Sequence, residues 1–591
     1  MVKNNSNEPV RGTLKGKIGD IEFEQALTLE AGQETIVKFD AEIFPQLVMQ
    51  NPKLWWPNGY GEQNLYDANF TFVIEDKTSD KVDFKVGVRQ VDAKEIDSVL
   101  HLYVNGRRFV GRGGNWGFSE SNLNYRGREY DIAVAYHANE NFNIMRNWVG
   151  QTGDKELYEA CDRYGIMVWQ DFWLANPADG PDPLDNKMFL ENAEDYVKRI
   201  RQYPSMLIYC GRNEGYPPAE IEAGLRKIVK EWHSDLYYIP SSADDCVSGH
   251  GPYRALTPRV YFARKKGSDM FHSERGMPSV LTYESMQRTF SEEGMWPQGR
   301  EWYYHDYTLR GAQACESFNN IIAEGYGECA DAEEFAKYAQ FVNYDGYRAM
   351  FESRSIKRKG LLLWMSHPCW PSMTWQTYDW YFETNGSYFG SKKGSEPLHV
   401  QWNSHTDSIE VVNYSAGAQK DLLAKAMLVN LDGAIVWENE MVLDCNEDST
   451  NRLFKMEFPE NCSEVHFIKL LLTKDGKTLS DNFYVNGKQY GNHQALKDIA
   501  KADVKTSTSF TKGKDGVWKG SVTLENKSSV PAVMVRVNVL GKKDGQQILP
   551  MFYSDNFFSL MPGEKKTVTL KWYNADTRGN KPKVEVTGYN L

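Results

Sequence analysis

Two glutamates stand out by where they fall. The stretch "SMLIYCGRNEG" (205–215) starts as an apolar run and ends in Arg212, Asn213 and Glu214. "DMFHSERG" (269–276) follows the same plan and closes on His272, Ser273 and Glu274. Buried strands do not end in unpaired charge, so these ends are expected to open on a polar site. Two carboxyl groups facing one pocket suit glycoside cleavage. One, protonated, releases the leaving oxygen; the other, ionised, attacks or stabilises an oxocarbenium-like carbon. Crowding two acids also raises the pKa of one, which suits a proton donor. Glu214 and Glu274 are therefore the candidate catalytic pair. Further polar and aromatic residues end strand-like runs and are candidate substrate contacts: Asn115, Trp116, Arg146, Trp148, Asp171, Trp173, Arg212, Asn213, His272, Trp364 and His367.

Such residues meet only if their strands lie side by side. From about residue 97 strand-like and helix-like segments alternate. The strands are "RRFVGRGGNW", "FNIMRNW" (142–148), "IMVWQDFW" (166–173), "SMLIYCGRNE", "LYYIPSSA" (236–243), "RVYFAR" (259–264), "DMFHSERG" and "GLLLWMSHPCWP" (360–371). Helical patterns fill the gaps near 128–140, 154–164, 186–202, 218–233 and 331–356, and 290–330 reads as a long irregular loop or lid. Strand–helix alternation over this length predicts a closed (β/α)8 TIM barrel, whose reactive groups sit at the C-terminal strand ends. Residues 1–96 alternate in short β runs and predict an immunoglobulin-like β-sandwich. Inside them "NPKLWWPNGYGEQNLY" (51–66) reads as a hydrophobic plug between domains. After the barrel at 97–392 the helical pattern stops. Residues 393–492 and 493–591 predict two more sandwiches, the last immunoglobulin-like, with Asp-Gly turns between strands.

Composition narrows the class. Apolar residues make up 41 % of the chain and charged residues 25 %, values usual for a globular protein, and the net charge is −12. No basic block points to nucleic acid, and no apolar run is long enough to span a membrane. The aromatic share is 13 %, with 17 Trp and 33 Tyr, which serves both β cores and sugar-binding faces. The eight cysteines and 11 histidines form no metal-binding spacing. There is no G-x-S-x-G elbow and no G-x-G-x-x-G strand–helix turn, so neither a cofactor nor a metal is called for. The start "MVKNNSNEPVRG" has no apolar h-region and reads as the middle of a domain, so the native N-terminus is expected to lie upstream.

"RQYPSMLIYCGRNEGYPP" (201–218) and "DMFHSERGMPS" (269–279) resemble the acid/base and nucleophile segments of glycoside hydrolase family 2. "LWWPNGYGEQNLY" is similar to that family's exit from its second domain. Residues 360–403 and the tail from "FFSLMPGEKK" resemble its exo-β-D-glucosaminidase branch. The resemblance spans nearly the whole chain. It implies a retaining, exo-acting β-glycosidase of oligo- or polysaccharides, in the periplasm or secreted. Glu214 would be the acid/base, Glu274 the nucleophile and Asn213 a contact to the sugar 2-position. Arg146 would orient the carboxylates and Trp364 would form a sugar platform. Three departures stand beside it. Trp148 occupies the place near Arg146 where the glucosaminidase branch carries a glutamate. The Asn213–Glu214 pair follows the wider family, including β-mannosidase-like members, where the branch has Ser-Asp. The family's N-terminal sugar-binding sandwich is absent. The cations Arg212, Arg264, Lys265, Lys266 and Arg275 leave open a glycosidase for an acidic sugar, a uronidase, since guanidinium pairs well with carboxylate. A non-catalytic carbohydrate-binding protein is the remaining alternative.

Overall fold

The computed structural model describes residues 1–117, 125–263, 270–309, 315–355 and 357–591. Its centre is a ring of eight strands: β1 (Arg112–Trp116), β2 (Ile144–Asn147), β3 (Met167–Asp171), β4 (Met206–Arg212), β5 (Tyr237–Ser241), β6 (Val247–Ser248), β7 (Phe271–Arg275) and β8 (Leu361–Leu363). Every neighbouring pair is parallel, and β1 pairs with both β2 and β8. The ladder is open only between β5 and β6. Strands walled by helices outside and side chains inside must be apolar throughout. Accordingly Ile144, Met145, Val168, Trp169, Leu207, Ile208 and Leu362 are all fully buried. Each such side chain contributes about 1.5–3 kcal/mol by leaving water. The molecule is a TIM barrel flanked by immunoglobulin-like sandwiches.

Three elements differ from expectation. "RVYFAR" is not a strand: Pro258–Phe262 is a short helix with proline at its first turn, a position where the missing N–H matters least. The sixth barrel strand is instead Val247–Ser248, two residues long and too short to leave a periodic pattern. The stretch 290–330 contains helices Arg300–Tyr304 and Cys315–Gly325. Arg264, Lys265 and Lys266 lie outside the described residues.

An unexpected helix, Gly386–Gly394, packs on the long helix Ala332–Glu352. Its glycines repeat every fourth residue. A Cβ on Gly386, Gly390 or Gly394 would lie 2.4, 2.2 or 2.7 Å from the carbonyls of Gln340, Tyr344 and Arg348. Only glycine permits backbones that close.

Before the barrel, a four-stranded antiparallel sheet spans residues 10–86, and a three-stranded one joins Val91–Ile96, Val99–Val104 and Arg107–Phe109. The point between residues 96 and 97 thus falls in a turn of one ladder. After the barrel, two pairs of antiparallel sheets follow, over residues 398–487 and 504–587. The loop 51–66 plugs the N-terminal side of the barrel. Trp55, fully buried, donates through Nε1 to the Asp162 carbonyl at 2.8 Å. Asn58 Nδ2 reaches the carbonyls of Ala138 and Phe142 at 2.9 and 2.8 Å.

Candidate active site

Arg146, at the end of β2, organises the mouth of the barrel. Its side chain has no solvent exposure. Nη1 donates to Glu274 Oε1 at 2.6 Å, Nη2 to Asn213 Oδ1 and to Asp171 Oδ2 at 2.7 Å each, and Nε to Asp171 at 3.0 Å. One guanidinium thus ties together the ends of β3, β4 and β7. Burial works against its charge, but Asp171 and Glu274 outweigh this and push its pKa up. Asp171 is itself oriented by Trp169 Nε1 at 2.9 Å and the Val149 amide at 3.0 Å.

Glu214 leaves β4 with a left-handed backbone, φ +47°. Its amide donates to Ser242 Oγ at 3.0 Å, just past β5, which holds this turn. The two glutamates differ in surroundings. The Glu274 side chain is 3 % exposed and meets a cation, whereas that of Glu214 is 16 % exposed and meets His250 Nδ1 at 3.0 Å. Burial raises the Glu274 pKa, Arg146 pulls it back, and the nearby Glu214 charge raises it again.

The loop after β6 supplies a residue the sequence analysis missed. Tyr253 Oη lies 2.6 Å from Glu274 Oε2 and 3.3 Å from Glu214 Oε1, so those oxygens are no farther apart than the sum of the two contacts, 5.9 Å. Its single proton serves Glu274, and a protonated Glu214 can donate back to the phenol oxygen. Burial and the Glu274 charge push the tyrosine's own pKa up, so it stays a donor. His272 fastens this loop: Nε2 donates to the Gly251 carbonyl and Nδ1 meets Ser248 Oγ, both at 2.7 Å. Trp364, which follows β8, stands edge-on to Trp148 at 4.9 Å and to Trp375 at 5.9 Å, and Tyr253 adds a fourth ring. Tyr253, His250 and Trp375 fall in irregular segments ("SGHGPY", "SMTWQ"). Their only sequence signal was polar or aromatic residues among Gly, Pro and Ser.

The ring therefore gathers Arg146, Trp148, Asp171, Asn213, Glu214, Glu274 and Trp364. The other candidates are occupied elsewhere. Arg212 donates to Asp182 at 2.6 Å and to the carbonyls of Ala175 and Gly180 at 2.8 and 3.2 Å, pinning the loop after β3. Asn115 Nδ2 bridges the carbonyls of Ser273 and Leu363 at 2.8 and 2.9 Å, fixing β7 to β8. Trp116 and His367 stack on each other at 3.8 Å, and both are buried. Trp173 is exposed, with its ring against Phe189 and Tyr196. Arg275 is half-buried, its guanidinium over the ring of Tyr261.

A TIM barrel with two carboxyl groups converging at its C-terminal mouth has the architecture of a glycoside hydrolase. Comparison with known proteins makes this specific. Residues 1–89 match the family described as Glycosyl hydrolases family 2, and residues 482–591 match the Exo-beta-D-glucosaminidase Ig-fold domain. An exo-β-D-glucosaminidase of Streptomyces avermitilis is 27 % identical, covering 100 % of this chain and 71 % of that protein. A mannosylglycoprotein endo-β-mannosidase of Lilium longiflorum is 27 % identical over 98 % of this chain and 73 % of that protein. The crystal structure of the Amycolatopsis orientalis exo-chitosanase CsxA superposes with a TM-score of 0.89 at 26 % identity, covering 100 % of this chain and 75 % of that one. The chain is a glycoside hydrolase, similar along its whole length to proteins of this kind and matching the family 2 model over its first segment. Among the described residues no helix is long and apolar enough to cross a membrane.

Proposed function

We propose that the chain is a retaining, exo-acting β-glycosidase that removes a terminal neutral hexose from an oligosaccharide. The observation that carries this reading is the Tyr253 bridge, which keeps the facing glutamate oxygens within 5.9 Å. Retaining enzymes hold their carboxyl groups about 5–5.5 Å apart, and inverting ones about 6.5–9.5 Å. Glu274, held as an anion by Arg146 and Tyr253, attacks the anomeric carbon. Glu214, more exposed and, among the described residues, without a lysine or arginine partner, protonates the glycosidic oxygen as that bond breaks. Water, deprotonated by Glu214, then displaces the sugar from Glu274 with a second inversion. Asn213, anchored through its oxygen by Arg146 and Ser242, keeps its amide nitrogen for a sugar hydroxyl. Trp148, Trp364 and Trp375 supply flat faces for the ring.

A neutral sugar is favoured over an amino sugar because Trp148 stands where the related glucosaminidases carry a glutamate. It is favoured over an acidic sugar because Arg212 is taken up by Asp182. An exo action follows the glucosaminidase relatives, and the endo-mannosidase relative marks the alternative. Turnover of p-nitrophenyl β-mannoside, β-glucoside, β-galactoside, β-glucosaminide and β-glucuronide by the intact gene product tests the sugar. The anomer first released, read by NMR, tests the stereochemistry. Initial release of the α-anomer, or no turnover of any glycoside, sinks the proposal.

A further inference from the structure

At the opposite end of β1 lies a guanidinium that the proposed reaction does not use. Arg112 is 2 % exposed, and among the described residues its Nε, Nη1 and Nη2 have no hydrogen-bond partner. Only its backbone is anchored, with the amide donating to Asn143 Oδ1 at 2.8 Å. One face of the guanidinium lies over the Tyr414 ring, 4.5 Å from the centroid. That contact returns far less than a buried, unpaired cation costs. Among the described residues no carboxylate pairs with it. Nearby Glu447 is taken bidentately by Arg107, at 2.9 and 2.7 Å, and Asp448 by Arg358 at 2.6 Å.

The groups around Arg112 are donors. Tyr60 is buried, and its hydroxyl oxygen accepts the Val110 amide at 3.0 Å, which leaves its own proton to give. Ser415 Oγ is buried and unpartnered. Gly59, in the 51–66 loop, roofs this space with φ +77°. A Cβ there would lie 3.9 Å from Arg112 Nη2, 3.7 Å from Ser415 Oγ and 3.5 Å from Pro397 Cγ. These residues come from three parts of the chain: the plug of the first sandwich, the first barrel strand, and the sandwich that follows the barrel.

We propose that this junction binds a small monovalent anion of chloride size, held by Arg112, Tyr60 and Ser415, which locks the three parts together. A buried positive charge without a carboxylate partner among the described residues, beside two hydroxyls that can donate, sets the ligand's sign, and the crowding by Gly59 and Pro397 favours a small ion. Burial pushes the Arg112 pKa down, with only Tyr60 and Tyr414 opposing, which is the imbalance a bound anion corrects.

Thermal unfolding of the full chain at constant ionic strength, with sodium chloride replacing sodium gluconate, tests this. Chloride is expected to raise the midpoint saturably, on the order of 2 °C, because it binds only the folded state. Arg112→Met is expected to abolish the chloride dependence, and Ser415→Ala to weaken half-saturation about tenfold. A crystal grown in sodium bromide should show an anomalous peak beside the guanidinium, a readout that holds even if Arg112→Met does not fold. Equal midpoints in the two salts, a chloride shift that survives in Arg112→Met, or water in place of bromide would each overturn the proposal.

Discussion

Two buried arginines on adjacent barrel strands meet opposite environments. Arg146, at the C-terminal end of β2, is matched by Asp171, Glu274 and Asn213, all buried beside it. Arg112, at the N-terminal end of β1, meets two tyrosines and a serine and, among the described residues, no carboxylate. At the end proposed to be catalytic the protein carries its own counter-charges, which would have to stay in place while a glycosidic bond breaks. At the stability end a diffusible ion suffices, since nothing there reacts. The contrast follows the division of labour in TIM barrels, with chemistry at the C-terminal face and stability at the other.

The largest expected effect falls on the carboxylate that Arg146 holds. Glu274→Gln should lower kcat by on the order of 10⁴-fold or more while the circular dichroism spectrum is unchanged. Azide with Glu274→Ala should yield the α-glycosyl azide. A β-azide would exchange the roles of the two glutamates. Glu214→Ala should cost about 10²–10⁴-fold, most with poor leaving groups, because general acid catalysis supplies about that much. A flat dependence on leaving-group pKa would contradict its role as acid.

Arg146→Met separates the two arginines most directly. It strands two buried carboxylates and should cost about 3–5 kcal/mol in urea unfolding, together with turnover. Arg146 lowers the Glu274 pKa, so the acidic limb of kcat/KM should also move to higher pH. Tyr253→Phe should act in the same direction but less. Its bond favours the ionised form of Glu274, so losing it raises that pKa and erodes activity from the acidic side. A loss of about 10–100-fold in kcat/KM is expected, the worth of one hydrogen bond to a charged group. A limb that stays put would make the tyrosine a spacer only. Smallest of all, Arg112→Met should keep kcat within roughly twofold at 25 °C in either salt, as expected for the stability face of the barrel. A large loss would end the contrast between the two arginines.

How much of this was legible depends on the length and regularity of each element. Strands of four to seven residues with a helix after each left a readable rhythm, and their polar ends pointed to Arg146, Asp171, Asn213, Glu214 and Glu274. The two-residue β6 leaves no rhythm, whereas "RVYFAR" has a strand-like pattern but forms a helix, and the loop carrying His250 and Tyr253 has no periodic signal of its own. The helix Gly386–Gly394 was hidden by its glycines, which weaken helix propensity yet are required by the backbone contact beneath. Charged residues at strand ends carry no mark of their partners. Arg212 and Arg146 read alike in the sequence, yet one pins a loop and the other joins two carboxylates.

By itself the sequence determined the class of fold and the family resemblance and pointed to the candidate pair of glutamates, because apolar periodicity and residue type are local properties. Only the tertiary structure decided which charges meet. Arg146 lies 128 positions from Glu274, and Gly59, Arg112 and Ser415 come from three separate sheets or loops. Electrostatic pairing acts over a few ångströms in space, whatever the distance along the chain. Closure of the barrel and docking of the sandwiches therefore set one arginine among acids and left the other among hydroxyls.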